Sequence, residues 1–370
     1  MGRSKDLNVR YEDELKLVRT SWMRVGLLAL AGLWLLAPQV LSGFQLDVLS
    51  RVGVFAVGAI GLNLLTGFTG QVSLGHAFFV GTGAYAAAWF GGDQGWPLWL
   101  WLPAVALLGA AIGGLIGPFA LRLRGNYLAI ITLGLLFLGE HIFNNWDSVT
   151  GGGAGRSVTP EVTLGPLDVT ELDFGSAPFT REQSLFLFVW AVVAIGMLLA
   201  KNLVRSRPGR AMQAVRDRDL AAEVIGVSLA RYKVGAFAIS SAYAAVAGGL
   251  FGLVQQYVSP TEFGGNLGLF LSIQYIAIII VGGIGTVFGA VIGAFVVGAM
   301  PRLIESMSRN TDLPFVSGDA GGSEGVVTVF SLNQALFGIL IVVFLLLEPR
   351  GLAAVWFRLK GYFRSWPFSY

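Results

Sequence analysis

Cysteine is absent from the 370 residues, so no disulfide framework and no thiolate metal site can form. Histidine occurs twice, which would leave a metal dependent on a carboxylate cluster within the membrane, and the sequence shows none. No metal ligands are expected. Only five lysines are present, and none follows a glycine. There is thus no GxxxxGK[ST] loop to cradle nucleotide phosphates. HExxH is missing, as are a GxGxxG opening a strand–helix unit and a GxSxG placed as a nucleophile elbow. No catalytic residue is expected, and the chain does not read as an enzyme. Charge is also scarce: 13% of residues are charged, against about 25% in soluble domains.

Apolar residues take the place of charge. They make up 55% of the chain, with 51 glycines among the rest, and mean hydropathy is +0.70. This is the composition of an all-α, polytopic membrane protein. The net charge of +3 is better explained by arginines in cytoplasmic loops than by nucleic-acid binding.

A membrane span needs about 20 apolar residues. Ten candidates fit, at 23–44, 48–67, 71–90, 97–121, 126–145, 183–201, 233–257, 268–284, 286–307 and 329–347. The long run 268–307 is split at "VGGIGT", where clustered glycines weaken a helix. The glycine-rich segment 71–90 is either a full span or a broken helix. Residues 1–22 are polar and mixed in charge, unlike the basic region of a signal peptide. They read as a cytoplasmic segment before an uncleaved first helix.

Charge tests this layout. The N-terminal segment, the turn "LRLRGN", the segment 202–232 and the tail 349–370 are all rich in Arg and Lys. An even number of spans puts all four on one side, so N-in/C-in is expected, with the permeating unit at 23–348. The long loops 146–182 and 308–328 fall outside, and each holds more acids than bases. Within the first, "VTPEVTLGPLDVTELDF" alternates enough to suggest a short hairpin.

The stretch "PGRAMQAVRDRDLAAEVIGVSLARYK", residues 208–233, carries eight charges in 26 residues. Pro208 suits a first helical turn. On a helical wheel Ala211, Ala214, Val215, Ala222 and Ile225 share one side; Gln213, Arg216, Asp219 and Glu223 share the other. Arg216 and Asp219 can pair at i, i+3, whereas Asp219 and Glu223 repel at i, i+4. Two short helices are therefore expected, with Gly226 as a stop and Ser228 capping the next helix. A loop lying on anionic membrane lipid would account for the arginines. The acids and the alanine-rich face suit docking into another protein's groove.

"RAMQAVRDRDLAAEVIGVSLARYKVGAFAISSAYAAVAGGLFG" closely resembles the cytoplasmic coupling region of branched-chain amino acid ABC transporter permeases. "GLNLLTGFTGQVSLGHAFFVGTGAY", "LRGNYLAIITLG", "NNWDSVTGGGAG", "VGGIGTVFGAVIGA" and "EPRGLAA" agree in the family's order, so the likeness covers roughly residues 50–355. The loop at 156–181 is longer than the family's linker. The resemblance implies pairing with a second homologous permease or a second copy, two ABC ATPase subunits below, and a periplasmic substrate-binding protein. It implies no cofactor in this chain and ATP-Mg on the ATPases. The ATPase-coupling residues would be Arg210, Arg216, Asp219, Ala221, Ala222, Glu223 and Gly226.

The translocation pathway is expected along Asn63, Thr66, Gln71, Ser73, His76 and Tyr85. The second glycine cluster, Gly282, Gly283 and Gly285, would join it, since paired interrupted helices mark a transporter's path. Plain helix packing explains the glycines too. A permease for urea or short amides shares these motifs. An ion-coupled transporter would rely on intramembrane ionisable groups, here His76, Glu140 and His141. A channel would need a filter motif, and none is evident.

Overall fold

The computed structural model describes residues 21–122, 126–160, 163–164, 167–168, 179–310, 316–317, 327–348 and 350–365. The expected cationic residues Arg3 to Arg19 and Arg124 lie outside this set, as does most of the loop 308–328. The helices are α1 (Ser21–Val40), α2 (Gly43–Leu62), α3 (His76–Ala87), α4 (Leu98–Arg122) and α5 (Asn126–Asn145). There follow α6 (Arg181–Arg205), α7 (Arg207–Asp217), α8 (Asp219–Val224), α9 (Leu229–Gln255) and α10 (Pro260–Phe263). The chain continues with α11 (Gly265–Gly282), α12 (Val287–Gly293), α13 (Ala299–Asn310), α14 (Val329–Leu347) and α15 (Gly351–Ser365). Among the described residues, seven helices are long and apolar enough to cross a membrane. Two shorter apolar helices, Arg24–Val40 and Gln334–Phe344, accompany them. The protein is an all-α, polytopic membrane protein.

The glycine-rich segment 71–90 is a broken helix. Residues 70–75 are not helical, α3 begins at His76, and a π turn at Ala88–Asp93 ends it. The run 268–307 divides where expected, with α11 ending at Gly282 and α12 starting at Val287. Within the tail 349–370, Gly351–Ser365 form a helix, α15.

Strand structure is slight. β1 (Arg156–Ser157) pairs antiparallel with β4 (Tyr257–Val258), which ties the long loop to the end of α9. β2 (Thr163–Leu164) and β3 (Leu167–Asp168) make the expected hairpin.

Helix α9 is the centre of the bundle and packs on α2, α3 and α4. Its seam with α4 follows from sequence. Gly109, Gly113 and Gly117 recur every four residues, so they share one face of α4. A methyl at Gly113 would stand 2.5 Å from Ser241 Cβ and 3.1 Å from the Phe237 carbonyl. One at Gly117 would stand 2.9 Å from Val234. Small residues let two backbones approach where no hydrophobic drive separates lipid from protein. Gly114 faces away, with only Ala238 Cβ near, at 3.9 Å.

Overpacking a close seam costs about 1–3 kcal/mol. Gly113→Leu is expected to lower the detergent-solubilised melting temperature clearly, and Gly114→Leu to leave it close to the parent. Equal effects in a thermal scan would show that the seam is not close-packed.

Candidate functional site

Two helix breaks meet at one end of the bundle. The first follows α2. Its last turn loosens into a π turn, Asn63–Gly67, and Gly70 then turns the chain at φ +71°. Residues beyond it run back into the protein interior, where Gln71, Ser73 and His76 are buried. Non-helical backbone at membrane depth survives only where protein or water satisfies it. Side chains do so here. Thr132 Oγ1 accepts from the Leu74 amide at 2.9 Å, and Ser272 Oγ accepts from the Ala77 amide at 3.0 Å. Thr66 Oγ1 donates to the Gln71 carbonyl at 2.9 Å.

The second break lies between α11 and α12. Gly283 and Gly285 have φ of +122° and +81°, which side-chain-bearing residues rarely adopt. Gly282 packs directly on Gly289 and Gly293, and the first residue of α15, Gly351, seals against Gly283.

Asn63 joins the breaks. Its Nδ2 donates to the Thr286 carbonyl at 2.8 Å, and its Oδ1 accepts from the Gly285 amide at 2.8 Å. The carboxamide is only 1% exposed. A side chain at Gly67 would overlap it. Arg216 reaches the same place from α7, and its Nη1 donates to the Gly67 carbonyl.

The charged pair α7–α8 caps this end. Ser206 starts α7, with its hydroxyl accepting from the Gly209 amide, and Pro208 stands in the first turn. Met212 and Val215 are buried on α7, and Ala222 on α8. Gly226 at φ +87° ends α8: its amide donates to Glu223, and the Val227 amide to Ala222. Ser228 precedes α9 as expected, but its side chain makes no cap bond. Two further expectations fail. Arg216 does not pair with Asp219; although the residue is exposed, its Nη1 donates to the Gly67 carbonyl, and Asp219 instead faces Lys233 at 3.8 Å. Ile225 does not share the buried face of Ala222; it is 75% exposed. The extended Arg218, with φ −157°, resets the helical phase between α7 and α8. Arg210 is exposed and bonds the Arg205 carbonyl at 3.0 Å. Ala221 and Glu223 are exposed as well. Asp219, Glu223, Gly226 and Lys233 line an open cleft of about 460 Å³.

The profile of the family described as "Branched-chain amino acid transport system / permease component" matches residues 44–345. The chain belongs to this family. It is 32% identical to the high-affinity branched-chain amino acid transport system permease protein LivM of Escherichia coli over 305 residues, 79% of this chain and 70% of that one. It is 29% identical to LivH of the same organism over 263 residues, 67% of this chain and 81% of that one. The ribose import permease protein RbsC of Haemophilus influenzae is 25% identical over 263 residues, 68% of this chain and 74% of that one. No solved structure matches it.

The remaining candidates of the permease lie apart from the crossing. His76 Nε2 donates to the Gly58 carbonyl at 3.0 Å, and its ring meets Tyr275 edge-on at 4.8 Å. Tyr85 sits toward the other end of α3, 5.0 Å from the Phe143 ring, and its hydroxyl has no partner among the described residues. Glu140 packs against Gly264 and Gly265, whereas His141 is exposed, so the two form no relay. Thr132, Ser272, Thr286 and Gly351 belong to the crossing as well and were not singled out. Thr286 and Gly351 stand in "VGGIGT" and "EPRGLAA", and those motifs were the available signal.

Two predictions follow from this geometry. Asn63→Ala strands the Gly285 amide and the Thr286 carbonyl, at about 1–3 kcal/mol each. A marked fall in melting temperature is expected, and an unchanged value would contradict the bridge. Glu262 on α10 is the second case. Burial pushes its carboxyl above the ordinary 4.5, against smaller opposing effects of the Ser259 backbone and Arg51. A raised folded value means the native state holds the proton more tightly, so stability is lost as pH rises above 4.5 through that value. Glu262→Gln should therefore melt with the parent at low pH and above it at pH near 8. A difference that shrinks with rising pH would refute this.

Proposed function

We propose that the chain is a permease subunit of an ATP-driven importer of branched-chain amino acids in the bacterial inner membrane. The carrying observation is the tip of α7–α8. Leu220, Val224 and Ile225 project there at 60%, 88% and 75% exposure, beside Glu223 and the 460 Å³ cleft. Apolar side chains projecting from a polar segment mark an interaction surface. Asp217, Asp219 and Glu223 beside them set this tip apart from a purely basic lipid-facing segment. A groove on an ATPase subunit suits this mix of apolar and charged groups. The absent phosphate loop agrees, because ATP and Mg²⁺ would then belong to partner chains.

The remaining parts follow from family membership. The end carrying α7–α8 is cytoplasmic, as are both termini. Likeness to LivM and LivH alike supports pairing with a related permease. A periplasmic binding protein delivers substrate at the other end, where β1 and β4 anchor the loop 146–182. The path runs past Asn63, Thr66, Gln71, Ser73 and His76 to Tyr85, with Gly282, Gly283 and Gly285 opposite. The cargo follows the family profile and the named function of the relatives.

The test is reconstitution of the permease pair with its ATPases and binding protein in proteoliposomes. ATP-dependent uptake of labelled leucine, with none of urea, is expected. Val224→Asp with Ile225→Asp should abolish ATPase co-purification while the permease remains inserted. Leucine uptake without any ATPase would overturn the proposal.

A further inference from the structure

Every contact described for the guanidinium of Arg216 is to the two helix breaks. Arg216 closes the last turn of α7. Its Nη1 donates to the Gly67 carbonyl, the open carbonyl end of the π turn after α2. Its stem lies beside Gly70, which stays exposed: a methyl there would meet Arg216 Cγ at 3.6 Å and Cα at 3.7 Å. Its guanidinium also lies against Gly285, where a methyl would stand 2.6 Å from Nη1. One side chain thus touches the carbonyl end of the first break, the turn that follows it, and the turn of the second break. Among the described residues no carboxylate pairs with it, because Asp219 faces Lys233. A cation at a helix's carbonyl end is favourable, and a hydrogen bond from a charged donor is stronger than a neutral one.

The helix that carries Arg216 belongs to a short unit with a backbone break at each end. An extended Ser206 separates α7 from α6, and Gly226 separates α8 from α9. The exposed tip stands just beyond Arg218.

We propose that Arg216 is the bolt that holds the two breaks shut, and that withdrawal of α7–α8 by the bound ATPase releases them. This deepens the docking assignment made above and rests on it for the driving motion. Arg216 is therefore a positioning residue for the pathway and not part of the docking face. When α7 moves outward the guanidinium leaves Gly67 and Gly285. Asn63 then holds the breaks alone, and backbone that was sealed becomes reachable from the α7–α8 side.

The absence of cysteine makes the test direct. Ser73→Cys is placed in the full permease, purified with its partner subunits, and labelled with a small water-soluble maleimide. Arg216→Met is then added, keeping the stem and removing the charged donor. Labelling without nucleotide should rise about tenfold, which corresponds to the loss of about 1.4 kcal/mol of closure, and should no longer respond to ATP. ATPase co-purification should be unchanged, and Arg216→Lys should fall between. Gly285→Ala, which crowds Nη1, should reproduce the effect if Arg216→Met elutes as aggregate. Labelling of Arg216→Met equal to the parent, with the same ATP response, overturns the proposal. So does an absence of labelling in every state and variant. Loss of ATPase from the parent itself would instead defeat the docking assignment, while the nucleotide-free comparison would still decide the bolt.

Discussion

An unpaired peptide group at membrane depth costs several kcal/mol, and a helix is the ordinary escape from that cost. This chain interrupts its helices twice at the same end. Each interruption frees amides and carbonyls that lipid cannot satisfy. Asn63 resolves much of this with one side chain, because a carboxamide both donates and accepts. It gives its donor to one residue of the second break and its acceptor to the residue before it. The two breaks are therefore held in one register.

The rest of the bundle is arranged to bring them together. Glycines on α4 draw it onto α9, and Gly83 and Gly248 draw α3 onto α9 from the other side. Close approach of backbones leaves the breaks buried inside protein rather than facing lipid. Thr132 and Ser272, from α5 and α11, complete the enclosure by accepting the amides of Leu74 and Ala77. The first residues of α15 close the outer side of the second break through Gly351.

Much of this was legible in the chain. The glycines of "VGGIGT" marked the second break because they weaken any helix. Pro208 and Gly226 marked the ends of the charged pair for equally local reasons. What was not legible was long-range. The i, i+3 spacing matches Arg216 with Asp219, yet its partner is a carbonyl 149 positions away. Asn63 was noticed as a polar residue among apolar ones, but the groups it joins lie more than 200 positions along the chain. Ile225 was placed inside because one helical phase was carried past Arg218, whose extended backbone ends that phase. Local punctuation can be read from residue types, whereas a bond that closes a fold depends on which helices become neighbours.

Helix α9 has a further significance. Its 27 residues contain no proline, and at 1.5 Å each they extend about 40 Å, through the whole apolar layer. Near one end, Lys233 faces Asp219 of the charged pair. At the other end the chain passes through Gln256, whose φ of +63° is strained for a side-chain-bearing residue, straight into the strand that holds the long loop. An unbroken helix does not absorb axial displacement along its length. α9 therefore joins the anchor of the long loop to the ion-pair partner of the charged segment in one continuous element.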